Sequence, residues 1–500
     1  MEGNSKKTTV LIVGAGIGGI ATAARLAKNG YLVTVVEKCE MPGGRCGQMT
    51  VQGHRFDTGA TLFMMPEQYA ETYAALGENM KDHLDLRRIN PTYHLFFQDN
   101  SQLQLSSDLH EMMAQMETIE PGSFEQLLLY LAEGRRHYEL SLQNVVGKDF
   151  RSLGDFINPH MISMFFRLKA FTQHTRYTSR FFKSPRLQMA FTFQDMYMGL
   201  SPYRSPATYS FLQYTELADG LFFPVGGMYR IAESLTAIAE KMGVHFLYNS
   251  PVDKILVEGD QAKGLVLSDG QKLIADMVVA NADLGYVYRQ LLPDKGEANR
   301  IDRKEYGCST VMFYWGLDKL FPQLGPHNLF FSGDYRQGFE DIFKGKKMPE
   351  EPNFYIHAPA RIDPSAAPAG CDTLYAAVPV GHISRRNPQD WQSIQARARA
   401  FILNRLTQLG MADLESHIKV EAGFGPQDWE RRYNLTRGSA HGLSHKLTQM
   451  AYFRPHNWHK RYRNLYFVGA STHPGTGIPT VLVSARLTAR RIIEDTGSRI

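Results

Sequence analysis

Three glycines, Gly14, Gly16 and Gly19, stand in the spacing G-x-G-x-x-G within GAGIGG. At that spacing a chain can turn tightly, bring its backbone close to a pyrophosphate and pack a helix against a strand. The free N–H groups and positive dipole end of the helix then face the phosphate charge. The flanking residues supply the required elements. Thr9–Val13 (TVLIV) is an apolar, β-rich run of the kind that forms a buried parallel strand. An Ala-rich helix is expected from Ile20 to Lys28, ended by Gly30, and a second strand over residues 31–37 (YLVTVVE) completes a βαβ unit. Glu37 ends that strand 18 residues after Gly19, where a carboxylate can accept hydrogen bonds from both hydroxyls of a ribose. The pattern reads as a dinucleotide site, with FAD and NAD equally served by it.

The residues after Glu37 separate the two cofactors. In EKCEMPGGRCGQM, Pro42, Gly43, Gly44 and Arg45 follow the acid closely. This resembles the GG-R motif of the flavin-containing amine oxidase superfamily, whose loop runs along FAD with the Arg near its pyrophosphate. A guanidinium suits that position because it forks onto phosphate oxygens. GHRFDTGA (53–60) is similar to the same superfamily, as is NLYFVGASTHPGTGIPTVLVSA (464–485). The resemblance implies FAD as cofactor and adds Val252, Gly469, Gly475, Gly477 and Ile478 to the cofactor-binding residues. It departs at Gly469-Ala470, where many relatives have Gly-Asp, so a side-chain contact at position 470 is not expected. His473 lies in this loop and is read as ordering it rather than as a general base.

The whole chain resembles the bacterial and fungal phytoene desaturases, most tellingly in FQDMYMGLSPYRSPATYS (193–210), LADGLFFPVGGMYRI (217–231) and ADMVVANAD (275–283). That resemblance implies an FAD-dependent oxidoreductase acting on CH–CH groups. It would dehydrogenate 15-cis-phytoene stepwise towards lycopene, by hydride transfer to flavin and proton loss, with oxygen or a quinone as electron acceptor. Desaturases of C30 diapophytoene or of hydroxycarotenoids, squalene-forming relatives, a carotenoid isomerase, and an amine or protoporphyrinogen oxidase remain open. So does a non-catalytic flavin-binding scaffold. Covalent flavin attachment through a C-terminal cysteine is excluded, because the last cysteine is Cys371. No catalytic base is named, and the number of desaturation steps and the oligomeric state are left open.

The elements that must position these residues are spread along 500 residues. The expected fold class is α/β: a discontinuous Rossmann-like FAD-binding domain (1–60, 219–305 and 445–500) with an inserted α+β substrate domain (61–110 and 306–444). A helical, membrane-associated subdomain is expected over 111–218. Such a length buries a large core without metals or disulfides. The four cysteines (Cys39, Cys46, Cys308 and Cys371) show neither a CxxC pair nor a metal-ligand spacing, which suits free thiols in a reducing compartment. With 55 basic against 50 acidic residues and no basic block, nucleic acid is not an expected partner.

No apolar run long enough to span a bilayer occurs, and the polar lead into Thr9 does not read as a secretory leader. The expected location is therefore cytoplasmic, peripheral to membrane. Two features carry that expectation. Met161, Met164, Phe165, Phe166, Phe171, Met189, Phe191, Met196, Tyr197 and Met198 could line a tunnel for an apolar rod. The acid-free segment from Phe156 to Gln194 holds Arg167, Lys169, Arg176, Arg180, Lys183 and Arg186 among aromatics, a pattern suited to an anionic lipid surface.

Overall fold

Alternation along the first strand sets the architecture. Val10 and Ile12 point into one hydrophobic cluster, and Leu11 and Val13 into another on the opposite face, as the two-residue period of a strand requires. Thr9–Val13 is the central strand of a five-stranded sheet, described with the rest of residues 7–497 in a computed structural model. Its order is Leu465–Phe467, Met277–Ala280, Thr9–Val13, Leu32–Val36, His245–Leu247, and every pairing is parallel. The polar lead at residues 1–6 lies outside the described residues.

The first helix is Ile17–Lys28. It starts three residues earlier than the Ala-rich pattern suggests, because the last glycines of GAGIGG already adopt helical geometry. Backbone N–H groups of Asn29 and Gly30 close its end onto Leu26 and Ala27. It packs against the C-terminal helix Ile478–Thr496 and against Arg230–Lys241, so both chain ends share one face of the sheet. The other face is covered by an antiparallel sheet, Val252–Glu258, Gln261–Leu267 and Lys272–Ile274, whose last two strands turn at Asp269-Gly270.

A seven-stranded mixed sheet stands beside this layer in the order Ile418–Phe424, Ser309–Leu317, Asp372–Val380, Phe354–His357, His327–Phe330, Tyr93–Phe96, Gln102–Leu105. Its one parallel pairing joins Tyr93–Phe96 to His327–Phe330. Helix Trp391–Gln408 covers its far face, over Trp315, Leu374 and Val378. The sequence between Leu109 and Asp219 is helical, with Ser123–Ser141 the longest element. Leu86–Ile89 pairs with Leu221–Pro224 and so ties both ends of this segment together. Among the described residues no helix is long and apolar enough to cross a membrane.

Candidate active site

A cavity of about 420 Å³ runs along the carboxyl ends of the parallel strands, the edge at which open α/β sheets bind ligands. Gly14, Gly16, Glu37, Gly43, Gly44, Arg45, Val252, Gly469, Gly477 and Ile478 all line it. The Gly43 N–H donates to the Ala15 carbonyl at 2.8 Å, which lays the Pro42–Arg45 loop on the glycine turn. Gly43 holds φ at 106° to make that approach, a conformation reserved for glycine. Two sequence-predicted residues stand outside the cavity wall. A Cβ on Gly19 would collide with the Gly14 carbonyl oxygen, and one on Gly475 with the His445 ring. Both glycines act through packing.

Each oxygen of Glu37 accepts one backbone N–H, from Ala15 at 2.7 Å and from Cys39 at 2.9 Å. The carboxylate is thereby aimed into the cavity with lone pairs left for further donors. Arg45 donates to the Ala440 carbonyl at 2.7 Å through one nitrogen only. Burial lowers its pKa, and Asp283 opposes that shift. The N-termini of helices Ile17–Lys28 and Ile478–Thr496 meet at the same cavity. Two positive helix ends, glycine-paved walls, a carboxylate and an arginine are the groups that an adenine dinucleotide's phosphates and ribose require. The residues present fit FAD.

Several lining residues have no signal in the fingerprint. Asn281 donates to the carbonyls of Gly14 and Gly16 at 3.0 and 3.3 Å and so braces the turn from the neighbouring strand. Its segment, ADMVVANAD, carries the family resemblance, but its bracing role does not follow from any spacing. Asp283 accepts from Ser471 Oγ at 3.0 Å. Arg432, Tyr433 and Asn434 arrive from the Pro426–Tyr433 helix and its cap, and only the tertiary fold brings them there.

The loop 469–477 is held from behind. Arg454 is 1% exposed and donates to the carbonyls of Ala470, Thr472, Leu443, Ser444 and Gln449. No carboxylate pairs with it among the described residues, and burial draws its pKa down to about 10. His473 does not line either cavity. Its buried ring stands edge-on to Phe150 at 5.6 Å, and burial lowers its pKa to about 3. A loop-ordering role agrees with this position.

A second cavity of about 370 Å³ opens from the first. Gly59, Ala60, Tyr197, His441 and Ile478 line both. Its remaining wall is mostly apolar, with Met64, Met65, Phe193, Leu329, Phe331 and Phe339. Of the residues expected to line a tunnel, Met196, Tyr197 and Met198 do. Met161, Met164 and Phe191 are core residues, while Phe166 and Phe171 face outward at 65% and 66% exposure. Composition could not make this distinction, because a short helix with apolar residues on several sides serves core and surface together.

Residues 17–493 match the family described as flavin containing amine oxidoreductase. The zeta-carotene-forming phytoene desaturase of Myxococcus xanthus is 44% identical over 498 residues, covering 99% of this chain and 95% of that one. A phytoene desaturase of Phycomyces blakesleeanus is 42% identical, covering 98% and 86%. Among solved structures, putrescine oxidase bound to putrescine aligns with a TM-score of 0.63 at 16% identity, covering 98% of this chain and 99% of that one; this shared architecture is one of fold alone. The chain belongs to the flavin-containing amine oxidoreductase family, in its carotenoid/phytoene desaturase branch. It is an FAD-dependent oxidoreductase acting on CH–CH groups.

Proposed function

We propose that the protein dehydrogenates 15-cis-phytoene stepwise towards lycopene. The observation that carries this reading is the junction of the two cavities: a dinucleotide-shaped cleft opens directly into an apolar chamber through Tyr197, His441 and Ile478. A polyene offers no polar handle, so binding comes from apolar area and orientation from the chamber walls. Bound in the first cavity, FAD supplies two-electron redox chemistry. The protein's residues hold the cofactor at Gly14, Gly16, Glu37, Gly43, Gly44, Arg45, Val252, Gly469, Gly477 and Ile478, exclude water, and keep the chain straight across the junction. Supporting relatives include the bacterial and fungal desaturases named above.

A substrate dissolved in lipid calls for a peripheral membrane surface. The tilted rings of Phe166 and Phe171 meet at 5.7 Å on the surface, in a segment that also exposes Ile157 and Ile162. Arg167, Arg176, Arg180 and Lys183 are exposed in the same segment. This combination favours docking on anionic headgroups. Arg186 contributes less, since it pairs with Asp99.

The deciding experiment is expression in cells that accumulate phytoene, followed by pigment chromatography. Lengthened conjugated polyenes up to red lycopene are the expected result. Unchanged phytoene, with C30 pigment formed in a diapophytoene-accumulating strain, would overturn the C40 reading.

A further inference from the structure

Tyr197 stands where the two cavities meet and lines both. Its hydroxyl lies 2.7 Å from the Tyr93 hydroxyl and 3.1 Å from Glu216 Oε2, with either within reach as its acceptor. Glu216 itself is 0% exposed and lines neither cavity. Thr92 Oγ1 lies 3.2 Å from its other oxygen and shares its one hydrogen between that oxygen and the Leu105 carbonyl at 3.0 Å, and the Gln194 amide reaches Oε2 at 3.5 Å. Among the described residues no lysine, arginine or histidine pairs with it. A buried carboxyl without a cation is costly to ionise, and the fold spends no charge partner to relieve that cost. Three neutral donors are gathered on it instead, and one of them reaches both cavities.

We propose that Tyr197 and Glu216 form the proton exit of the dehydrogenation, Tyr197 taking the proton from the substrate carbon while its own hydroxyl hydrogen passes to Glu216. The inference rests on the polyene reading above. Each desaturation removes a hydride, with its electron pair, from one carbon and a proton from the next. The electron pair left by that proton becomes the new double bond, and oxidised flavin is the two-electron acceptor that balances the step. Tyr197 is then the catalytic residue. Glu216 acts through it as a positioning and proton-holding residue.

Electrostatics agree with the geometry. Burial pushes Glu216 up to about 7, against the pull of Tyr197, Thr92 and Gln194. A group near neutrality can both accept and release a proton at working pH. The titratable groups facing it are Tyr197 and Tyr93, which burial holds protonated. Beyond Tyr93, the His327 ring lies 5.5 Å away and burial keeps it neutral. The rival at the junction is His441. Burial and Arg45 lower its pKa to about 4, so it is the weaker acceptor.

The test uses flavin-loaded wild type, E216Q and Y197F with phytoene in liposomes, followed by single-turnover flavin reduction across pH 5–9. In wild type the rate is expected to rise with pH, with an inflection near 7. E216Q and Y197F should fall about 10²-fold in rate with unchanged KM and flavin content, and E216Q should lose the inflection. Infrared titration of the flavin-loaded protein without substrate gives a second readout. A protonated-carboxyl band should vanish near pH 7, be missing in E216Q, and titrate higher in Y197F, which lacks one donor to the carboxylate. An unchanged rate profile in E216Q, an inflection that stays near 4, or no titrating band would overturn the proposal. Wild type that is not reduced by phytoene defeats the polyene reading instead, and the infrared titration then still reports whether Glu216 titrates as described.

Discussion

At the scale of residues, the site relies on charges placed where water is scarce. Arg45 uses one nitrogen on Ala440, and in the proposed reading the rest of its fork is kept for the cofactor. Arg45→Ala is expected to weaken FAD binding about 10–100-fold, the worth of a charged hydrogen bond, as read by titrating apoprotein with FAD; full occupancy at low FAD would contradict that role. Glu216 leaves a mark on stability as well. Its carboxyl is raised from 4.5 to about 7 in the folded protein, so the folded state binds the extra proton between those values. The stability this supplies is fully present below about 4.5 and is lost as pH rises through 7. E216Q carries no such dependence. Its stability relative to wild type should therefore climb by about 3 kcal/mol across that window, measured by denaturant unfolding at each pH; a flat difference would contradict the raised carboxyl.

At the scale of elements, two close packings stand behind the walls of the proposed cofactor cleft. Helix Ile17–Lys28 sits on its own turn because Gly19 has no side chain to meet the Gly14 carbonyl. Gly19→Ala should separate helix from strand, lower stability by about 1–3 kcal/mol as overpacking does, and reduce flavin retention. Thermal unfolding with and without added FAD checks both effects. The loop 469–477 depends on Arg454, whose guanidinium gathers carbonyls from two chain segments. Arg454→Met keeps the bulk but strands those carbonyls. Purified protein should lose bound flavin, and hydrogen exchange should speed up over 469–477 while the sheet strands stay protected.

At the scale of the whole molecule, one chain segment joins the apolar chamber to the surface proposed to dock on lipid. Leu142 and Val146 line the apolar chamber. Further along, Phe156 packs against Phe165 and Phe453, and Phe165 meets the exposed Phe171 edge-on. Phe166→Ser with Phe171→Ser should reduce flotation with anionic liposomes without changing FAD content. Neutralising Arg176, Arg180 and Lys183 should remove mainly the salt-sensitive part of binding, since screening acts on exposed charge. Flotation unchanged in both variants would place the lipid surface elsewhere.

How much of this was legible in the sequence follows from the range of the forces involved. The glycine turn, the strand and helix around it, and Glu37 are local features: Gly14 takes a backbone conformation that favours glycine, Gly19 leaves room for close packing, and the spacing to Glu37 lies within one βαβ unit, so they could be read directly. The distant 464–485 element was legible only through its resemblance to the flavin-containing superfamily; the structure then shows its glycines leading into the helix that starts at Ile478. What no spacing could show is which side chains from separate segments share a wall. Asn281 behind the turn, Arg454 behind the loop, and the meeting of Thr92, Gln194, Tyr197 and Glu216 arise from packing of the sheets and helices against one another. Burial of a carboxyl without a cation is likewise decided only by tertiary contacts, because ionisation depends on what surrounds the group in space. Sequence by itself determined that a dinucleotide is held, and which one. The tertiary structure decided where that cofactor's cleft opens into an apolar chamber, and which buried groups stand at the opening.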